Sequence, residues 1–222
     1  MIPTSLREWL AAALDPLDDA APPDRAPYSD FDLNPDFRPA ARPALRDAAV
    51  LIPIVERPEP TLLLTRRSDA LRSHTGQVAF PGGRLDPGET VVEAALREAW
   101  EEVGLEPSFV DPVGLSHRYE TVTGYMVTPV VALVRPGFTL TISPDEVAEA
   151  FETPLAWLFD EANHRKEFFE KDGHRRYYYE MPWEGRSIWG ATAGMIRALR
   201  GRLLGETGDA AAIGRMQARE GA

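Results

Sequence analysis

The chain contains no cysteine. This absence excludes disulfide frameworks, thiol nucleophiles, cysteine-ligated zinc sites and iron–sulfur clusters. It also has no apolar run approaching the ~20 residues that a membrane-spanning helix needs. Near the amino terminus, Arg7 and Glu8 stand where a signal peptide requires an apolar core, so secretion is not predicted. These features together predict a soluble, cytoplasmic protein with no membrane partner.

Positive charge is scarce. Lys and Arg number 24 against 35 Asp and Glu, which gives a net charge of −11 and an isoelectric point near 4.9. Proteins that bind nucleic acid by neutralising phosphates normally have the opposite balance, so no nucleic-acid partner is expected. The length of 222 residues and the hydrophobic share of 44% predict one domain with a core of its own and an appendage. Composition leaves the oligomeric state open between monomer and homodimer.

The chain divides into three segments: an N-terminal helix and proline-rich arm (1–45), a compact domain (46–203) and a C-terminal tail (204–222). In the first segment, the spacing of apolar residues predicts a helix over 4–15, where Ser5 and Glu8 form a capping-box pattern. Seven prolines then fall between positions 16 and 43. They favour an extended arm laid on the surface of the domain.

Within the domain, β-rich apolar runs predict strands over 48–55, 61–65, 78–80, 127–134 and 177–182. Helices are predicted over 90–103, ending at Gly104, and over 188–203. Pro129 indicates that its strand lies at an edge or carries a bulge. Residues 146–159 mix helix and strand signals. The irregular alternation of the elements predicts a mixed β-sheet with helices on both sides.

Three glutamates stand out on the first of these helices. Glu98, Glu101 and Glu102 are spaced i, i+3 and i+4, which places three carboxylates on one helix face. Like charges at this spacing repel, so a helix gains no stability from them. A hard divalent cation such as Mg²⁺ reverses that effect, because it prefers carboxylate oxygens. The alternative is an acidic, solvated helix face.

The residues around this cluster are regularly spaced. The order is Gly83, five residues, Glu89, seven residues, Arg97-Glu98, Ala99, one residue, Glu101-Glu102, one residue, Gly104 and Leu105. This pattern resembles the Nudix box at every fixed position. The resemblance implies an α+β fold, the Nudix-type α/β/α sandwich with a mixed β-sheet. It also implies metal-assisted attack of water on the pyrophosphate of a nucleoside diphosphate derivative, with Mg²⁺ or Mn²⁺ as the cofactor.

The same resemblance implies roles for single residues. The implied metal ligands are Glu98 and Glu102, with Glu101 beside them and the Gly82 carbonyl as a further ligand. The implied structural residues of the box are Gly83, Glu89, Arg97 and Gly104. Family members draw the catalytic base either from the box or from a later loop, so Glu101 and Glu146 are both candidates. Glu149 and Glu152 are interpreted as solvated charges on a helix.

A second pattern lies directly upstream, between Leu63 and Gly83. It looks like the signature of the coenzyme A pyrophosphatase branch of the Nudix family, carried by Thr65, Arg66, Arg67, Ser68, Leu71, Arg72, His74, Gly76 and Phe80. Residues 61–84 contain four arginines and one acid, Asp69, within a chain of net charge −11. The basic residues Arg66, Arg67, Arg72 and His74 are therefore candidates for substrate binding, since guanidinium groups match phosphate oxygens in pairs. Alternatively, the arginines pair with surface acids or stack on aromatic rings.

A third stretch, Ile188–Ala193, resembles the C-terminal part of the same branch, and Trp189 within it is interpreted as a core residue. The leading hypothesis is hydrolysis of coenzyme A and its derivatives to adenosine 3′,5′-bisphosphate and 4′-phosphopantetheine or its acyl form. An alternative keeps the chemistry and changes the substrate to ADP-ribose or another nucleoside diphosphate derivative. A further alternative is a regulatory module that binds a nucleotide without turnover. Such modules often lose box carboxylates, and none is missing here.

Overall fold

The computed structural model of the chain describes residues 5–18, 26–39, 44–68 and 76–205. Its helices are α1 (Leu6–Ala13), α2 (Val91–Val103), α3 (Leu155–Phe159) and α4 (Ala191–Leu204). Its strands are β1 (Tyr28–Ser29), β2 (Arg46–Val55), β3 (Thr61–Arg67), β4 (Val78–Ala79), β5 (Gly82–Arg84), β6 (Val110–Leu115), β7 (Tyr119–Glu120), β8 (Tyr125–Val134), β9 (Val147–Pro154), β10 (Arg165–Lys171), β11 (His174–Trp183) and β12 (Arg186–Trp189). Within the described ranges, no helix combines the length and apolar character that a bilayer crossing requires.

The main sheet is mixed, as predicted. Its central strands β2 and β8 run parallel along their whole length. β3 pairs antiparallel with β2 and β9, while β6 and β7 pair antiparallel with the other side of β8. The short strand β5 pairs antiparallel with β2 and thereby reaches the middle of the sheet. A separate antiparallel sheet follows the order β10-β11-β12.

Helices cover both faces of the main sheet. Successive side chains of a strand point to opposite faces, and β2 shows this division clearly. Its Ile52 and Ile54 are buried in the cluster that includes α1 and α4, whereas Leu51 and Val55 are buried in the cluster that includes α2. The observed architecture is therefore the α/β/α sandwich that the sequence predicts.

The described part of the N-terminal segment packs against the domain. The predicted first helix is confirmed, because Ser5 Oγ accepts a hydrogen bond from the backbone N–H of Glu8 at 3.1 Å and begins α1. Further along, β1 pairs with β7. Asn34 also exchanges hydrogen bonds of 2.8 and 2.7 Å with the backbone of Tyr177. The predicted segment boundaries at 45/46 and 203/204 stay predictions, and residues 206–222 lie outside the described ranges.

The last helix begins later than predicted. Ile188 and Trp189, assigned from sequence to the helix, are the end of β12, and α4 begins only at Ala191. Ile188 lies opposite Met181 in the β11–β12 ladder, and both are fully buried. Gly190 follows with a φ of 64°, a conformation that glycine adopts without strain and that separates strand from helix.

Pro129 does not lie on an edge strand, because β8 is bordered by β2 on one side and by β6 and β7 on the other. The carbonyl of Pro129 accepts a hydrogen bond from the N–H of Ser116 at 2.9 Å, so its nitrogen faces the β6–β7 side. On that side β6 ends at Leu115 and β7 begins only at Tyr119. The interrupted ladder accommodates a residue that has no N–H to donate.

Candidate active site

Local contacts determine both ends of α2, the helix that carries the three glutamates. At its beginning, Thr90 and Glu93 form a reciprocal capping box: the N–H of Thr90 donates to Glu93 Oε2 at 2.9 Å, and the N–H of Glu93 donates to Thr90 Oγ1 at 3.2 Å. At its end, Gly104 adopts a φ of 66°. The helix therefore ends at the predicted glycine, whose left-handed conformation suits the position after a helix.

Two glycines let β5 lie between the central strand and the carboxylates of α2. A Cβ added to Gly82 would lie 2.4 Å from the carbonyl oxygen of Ala49 on β2. A Cβ added to Gly83 would lie 2.3 Å from Glu98 Oε1. Neither distance is tolerable for real atoms, so glycine at both positions is what allows Glu98 to sit directly over the β5 backbone.

Glu98 and Glu102 are the inward-facing carboxylates of the helix. Glu102 is 4% exposed, and its Oε2 has no hydrogen-bond partner among the described residues. Burial, together with the charges of Glu98 and Glu146, raises the pKa of Glu102 to about 8, and the charge of Arg67 opposes this rise. Burial also raises the pKa of Glu98. Two carboxylates in this setting are costly to ionise without a nearby cation.

Arg97 ties the helix to the preceding loop and to both neighbouring glutamates. Its Nε and Nη2 donate to the two carboxylate oxygens of Glu89 at 2.8 and 2.9 Å, and Nη2 also donates to the Arg84 carbonyl at 3.1 Å. Its Nη1 donates to Glu98 and Glu101, each at 3.0 Å. This pairing holds the pKa of Glu89 below its usual range. The arrangement agrees with the structural role implied for Arg97 and Glu89.

The segment that follows β8 docks on the carboxyl end of α2. The N–H groups of Thr141 and Ser143 donate to the carbonyls of Val103 and Glu102, both at 2.8 Å. These contacts satisfy carbonyls that a helix end otherwise leaves without partners. They also bring the turn that contains Glu146 to the helix, where the charge of Glu146 acts on the carboxyl group of Glu102.

Of the two candidate bases, Glu146 lies within electrostatic reach of both Glu98 and Glu102. Its carbonyl accepts a hydrogen bond from the N–H of Ser68 at 2.8 Å, which links it to the end of β3. Glu101 lies further out, with 52% of its side chain exposed and its carboxylate held by Arg97. The choice between Glu101 and Glu146 stays a prediction.

The neighbouring arginines Arg66 and Arg67 have different surroundings. They are the last two residues of β3, a strand that continues two residues beyond its predicted end at Thr65, so their side chains leave opposite faces of the sheet. The charge of Arg67 acts on Glu102, and its buried Nε has no partner within the part of the chain described. Arg66 instead donates to Glu149 Oε2 at 3.4 Å. The other two candidates, Arg72 and His74, lie outside the described residues.

Comparison with known proteins identifies this arrangement. A family model of the NUDIX domain matches residues 45–172, more than half of the chain. The chain belongs to the Nudix family. It is 50% identical over 159 residues to the Nudix hydrolase NudL of Escherichia coli strain IAI39, covering 69% of this chain and 81% of that protein. It is 47% identical to NudL of Cronobacter sakazakii over the same shares. A solved structure from Deinococcus radiodurans aligns over 72% of this chain and 86% of its own, with 18% identity and a TM-score of 0.47.

Nudix hydrolases generally use divalent metal ions, and the residues of this Nudix domain fit one. Gly83 leaves room for the Glu98 carboxylate above the β5 backbone, and the buried Oε2 of Glu102 has no hydrogen-bond partner among the described residues, so this oxygen is available to a cation. In the described part of the chain, no group of three or more acidic or histidine side chains forms a complete metal site. A pair of glutamates suits a hard divalent ion of the kind that binds one or two carboxylates and completes its shell with water and substrate phosphates. The Gly82 carbonyl stays a predicted ligand, and the backbone N–H of Gly82 donates a hydrogen bond to the Glu102 carboxylate.

Two expectations about acidic residues need correction. Glu149 and Glu152 are not solvated helix charges, because they lie on β9 and pair with arginines. Glu152 accepts from Arg57 Nε at 3.1 Å, and Glu149 accepts from Arg66 and from Arg186 on β12. Sequence reasoning missed Arg186 because it follows Glu149 by 37 positions. No local signal connects them; only the packing of β12 beside the main sheet brings them together.

Substitution of Arg97 is expected to impair both stability and activity. Arg97→Ala removes charge-assisted hydrogen bonds to a largely buried partner, Glu89, so the free energy of unfolding should fall by about 2 kcal/mol. Because Glu98 loses a fixed neighbour as well, turnover should fall by at least about tenfold. Denaturant unfolding and steady-state kinetics measure the two effects. Arg97→Lys keeps the charge but cannot make the bidentate hydrogen bonds of a guanidinium, so its stability and turnover should fall between those of the wild type and Arg97→Ala. An Arg97→Ala protein as stable as the wild type would contradict the structural role.

Proposed function

We propose that this Nudix hydrolase cleaves the pyrophosphate bond of coenzyme A and its derivatives. The products are adenosine 3′,5′-bisphosphate and 4′-phosphopantetheine, or acyl-phosphopantetheine. The observation that carries the proposal is the position of Arg67. Strand β3, which carries part of the second signature, brings Arg67 near enough for its charge to act on Glu102, and this supports a site to which both patterns contribute.

In this proposal the residues divide the work between charge and proton transfer. Glu98 and Glu102 would hold Mg²⁺ or Mn²⁺, with Glu101 and the Gly82 carbonyl as further candidate ligands. When bound, the ion neutralises pyrophosphate charge and lowers the pKa of the attacking water. Arg67 donates hydrogen bonds to phosphate oxygens beside it. Glu146, or Glu101, accepts the proton of the water as its oxygen bonds to phosphorus and the bridging P–O bond breaks.

The charge of the upstream segment supports a substrate with more than two phosphates. Residues 61–84 contain four arginines and one acid, a local excess that contrasts with the net charge of −11 for the chain. Coenzyme A carries a 3′-phosphate on its adenosine, separate from the pyrophosphate. Arginine side chains near the glutamates would serve both groups. On this basis we assign Arg66, Arg67, Arg72 and His74 as substrate-binding candidates.

One observation favours a substrate without the extra phosphate. Glu149 already accepts hydrogen bonds from Arg66 and Arg186, which reduces the positive charge on that face of the sheet. ADP-ribose, a nucleoside diphosphate derivative that lacks a 3′-phosphate, is therefore the second candidate. The two proposals share the reaction and differ in the 3′-phosphate and in the group beyond the pyrophosphate, which is pantetheine in coenzyme A and ribose in ADP-ribose.

A direct test is product analysis by mass spectrometry. The purified protein is incubated with Mg²⁺ or Mn²⁺ and equal concentrations of coenzyme A, dephospho-coenzyme A or ADP-ribose. We expect preferential release of adenosine 3′,5′-bisphosphate and phosphopantetheine, with ¹⁸O from labelled water on one phosphate product. Cleavage of ADP-ribose alone would reject coenzyme A as the substrate, and no cleavage of any of the three would reject the reaction.

Two matched variants refine this experiment. Arg67→Ala should reduce kcat/KM for coenzyme A and dephospho-coenzyme A alike, by about tenfold or more, since its contact is with the pyrophosphate. Arg66→Ala should affect coenzyme A more than dephospho-coenzyme A if it serves the 3′-phosphate. Equal, small effects of Arg66→Ala on both substrates would assign this arginine to its ion pair with Glu149.

A further inference from the structure

The strand β10 forms an open edge on the surface of the molecule. It belongs to the antiparallel sheet β10-β11-β12, in which β12 contacts β4 of the main sheet. β11 continues from β10 through a tight turn in which Asp172 and Gly173 have φ values of 53° and 76°. On its other side, β10 has no strand partner within the described residues. An unpaired edge of this kind presents backbone N–H and C=O groups that can pair with a further strand.

This edge carries two adjacent, exposed aromatic residues. Phe168 and Phe169 are each 43% exposed, and they point to opposite faces of β10. Phe168 lies beside Tyr177, and Phe169 lies beside Tyr178, each pair with ring centroids 6.0 Å apart. Large apolar side chains on both faces of one edge strand are a feature of strands that pair with another chain.

We propose that β10 pairs antiparallel with β10 of a second copy of this chain, so that the two three-stranded sheets become one continuous sheet across a two-fold axis. The two-fold axis makes the contact self-complementary: where one residue faces a second residue of the other copy, that second residue faces the first in return. This proposal concerns the β10 edge and does not depend on the proposed function.

The charges of β10 favour one register. With Phe169 opposite Phe169 of the second copy, Glu167 faces Lys171 of the second copy, and this pair occurs twice. Lys166 then faces Asp172 at the turn, again twice. Opposite charges directly across antiparallel strands stabilise the pairing, and like charges destabilise it.

Neighbouring registers place like charges together. Centring the pairing on Phe168 sets Arg165 against Lys171 of the second copy, which offsets the favourable pairing of Lys166 with Glu170 in that register. Centring it on Glu170 sets that carboxylate against its own copy, whereas a centre between two residues would oppose side chains from different faces of the strands. The charge pattern of the strand is therefore complementary to its own reverse in the Phe169-centred register.

A charge-swap experiment tests the partner and the register together. Sedimentation equilibrium over about 1–200 µM protein measures the dissociation constant of the dimer. Glu167→Lys alone and Lys171→Glu alone should each weaken dimerisation by at least about tenfold, because each places like charges opposite one another twice. The double variant Glu167→Lys/Lys171→Glu restores opposite charges in reverse and should return the constant to within about threefold of the wild type.

The control matched to Glu167→Lys is Glu59→Lys, which makes the same change of net charge at an exposed position in the turn between β2 and β3. It should leave the dissociation constant unchanged, and circular dichroism should show that all variants fold. A wild-type protein that is monomeric throughout the concentration range would overturn the proposal. So would single variants that dimerise like the wild type, or a double variant as weak as either single one.

Discussion

The Glu98→Gln variant is expected to lose at least about a hundredfold in turnover with Mg²⁺ while remaining folded. Glutamine has the same shape as glutamate, so it fits above Gly83 without a clash. The substitution removes the negative charge that the proposed metal site needs. Burial already disfavours the charged form of Glu98, as its raised pKa indicates, so the neutral side chain should leave the free energy of unfolding within about 1 kcal/mol of the wild type.

Kinetics, Mg²⁺ titration by calorimetry and denaturant unfolding measure this result. Glu106→Gln is the matched control, because Glu106 is exposed and lies just beyond the end of α2. It should keep full turnover. A Glu98→Gln enzyme with wild-type activity would show that the metal ligand is misassigned. Loss of activity together with unfolding would instead point to a purely structural role for Glu98.

Alanine at Gly82 and alanine at Gly83, the two glycines of β5 beside Glu98, should produce two different defects. A Cβ at Gly83 would lie 2.3 Å from Glu98 Oε1, at the far end of a side chain that can turn aside. Gly83→Ala should therefore fold with nearly wild-type stability but displace the Glu98 carboxylate. We expect turnover to fall by at least about tenfold, because a displacement of about 1 Å at a reacting centre is costly.

Gly82→Ala should mainly affect folding. Its Cβ would lie 2.4 Å from the Ala49 carbonyl oxygen and 2.6 Å from the Cα of Val50, which are backbone atoms of the central strand β2. Since backbone in the middle of a sheet cannot move aside, we expect a loss of about 1–3 kcal/mol in the free energy of unfolding. Thermal and denaturant unfolding of both variants, beside their kinetics, measure the contrast. Equal stability of the two would contradict the packing of β5 between β2 and α2.

The elements predicted most accurately were those with local signals at their ends. Helix α2 follows its pattern closely, because the Thr90–Glu93 capping box and the left-handed Gly104 act within a few residues of the helix. The opposite case is Ile188–Trp189, where an apolar run suits a helix and a buried strand equally well. Pairing with β11 makes this segment a strand. The residues Ile188 and Trp189 by themselves carry no information about that pairing.

The arginine pair shows how an error in a boundary alters a functional prediction. A strand predicted to end at Thr65 leaves Arg66 and Arg67 in a loop, where both could turn toward one phosphate. The strand extends to Arg67, so alternation sends the two side chains to opposite faces. One guanidinium then lies near Glu102 and the other near Glu149.

The amino-acid sequence by itself determined the family, the α/β/α architecture and the helix that presents Glu98 and Glu102. The helix depends on residue types at fixed spacing and on the glycines beside it, which are local properties, and the resemblance carried by that spacing implies the family and the architecture. Only the tertiary structure decided which other groups reach those carboxylates. Glu146 comes to α2 because the backbone of Thr141 and Ser143 caps the helix end. Contacts between residues far apart in the chain depend on how sheets and helices pack, and local sequence carries no record of that packing.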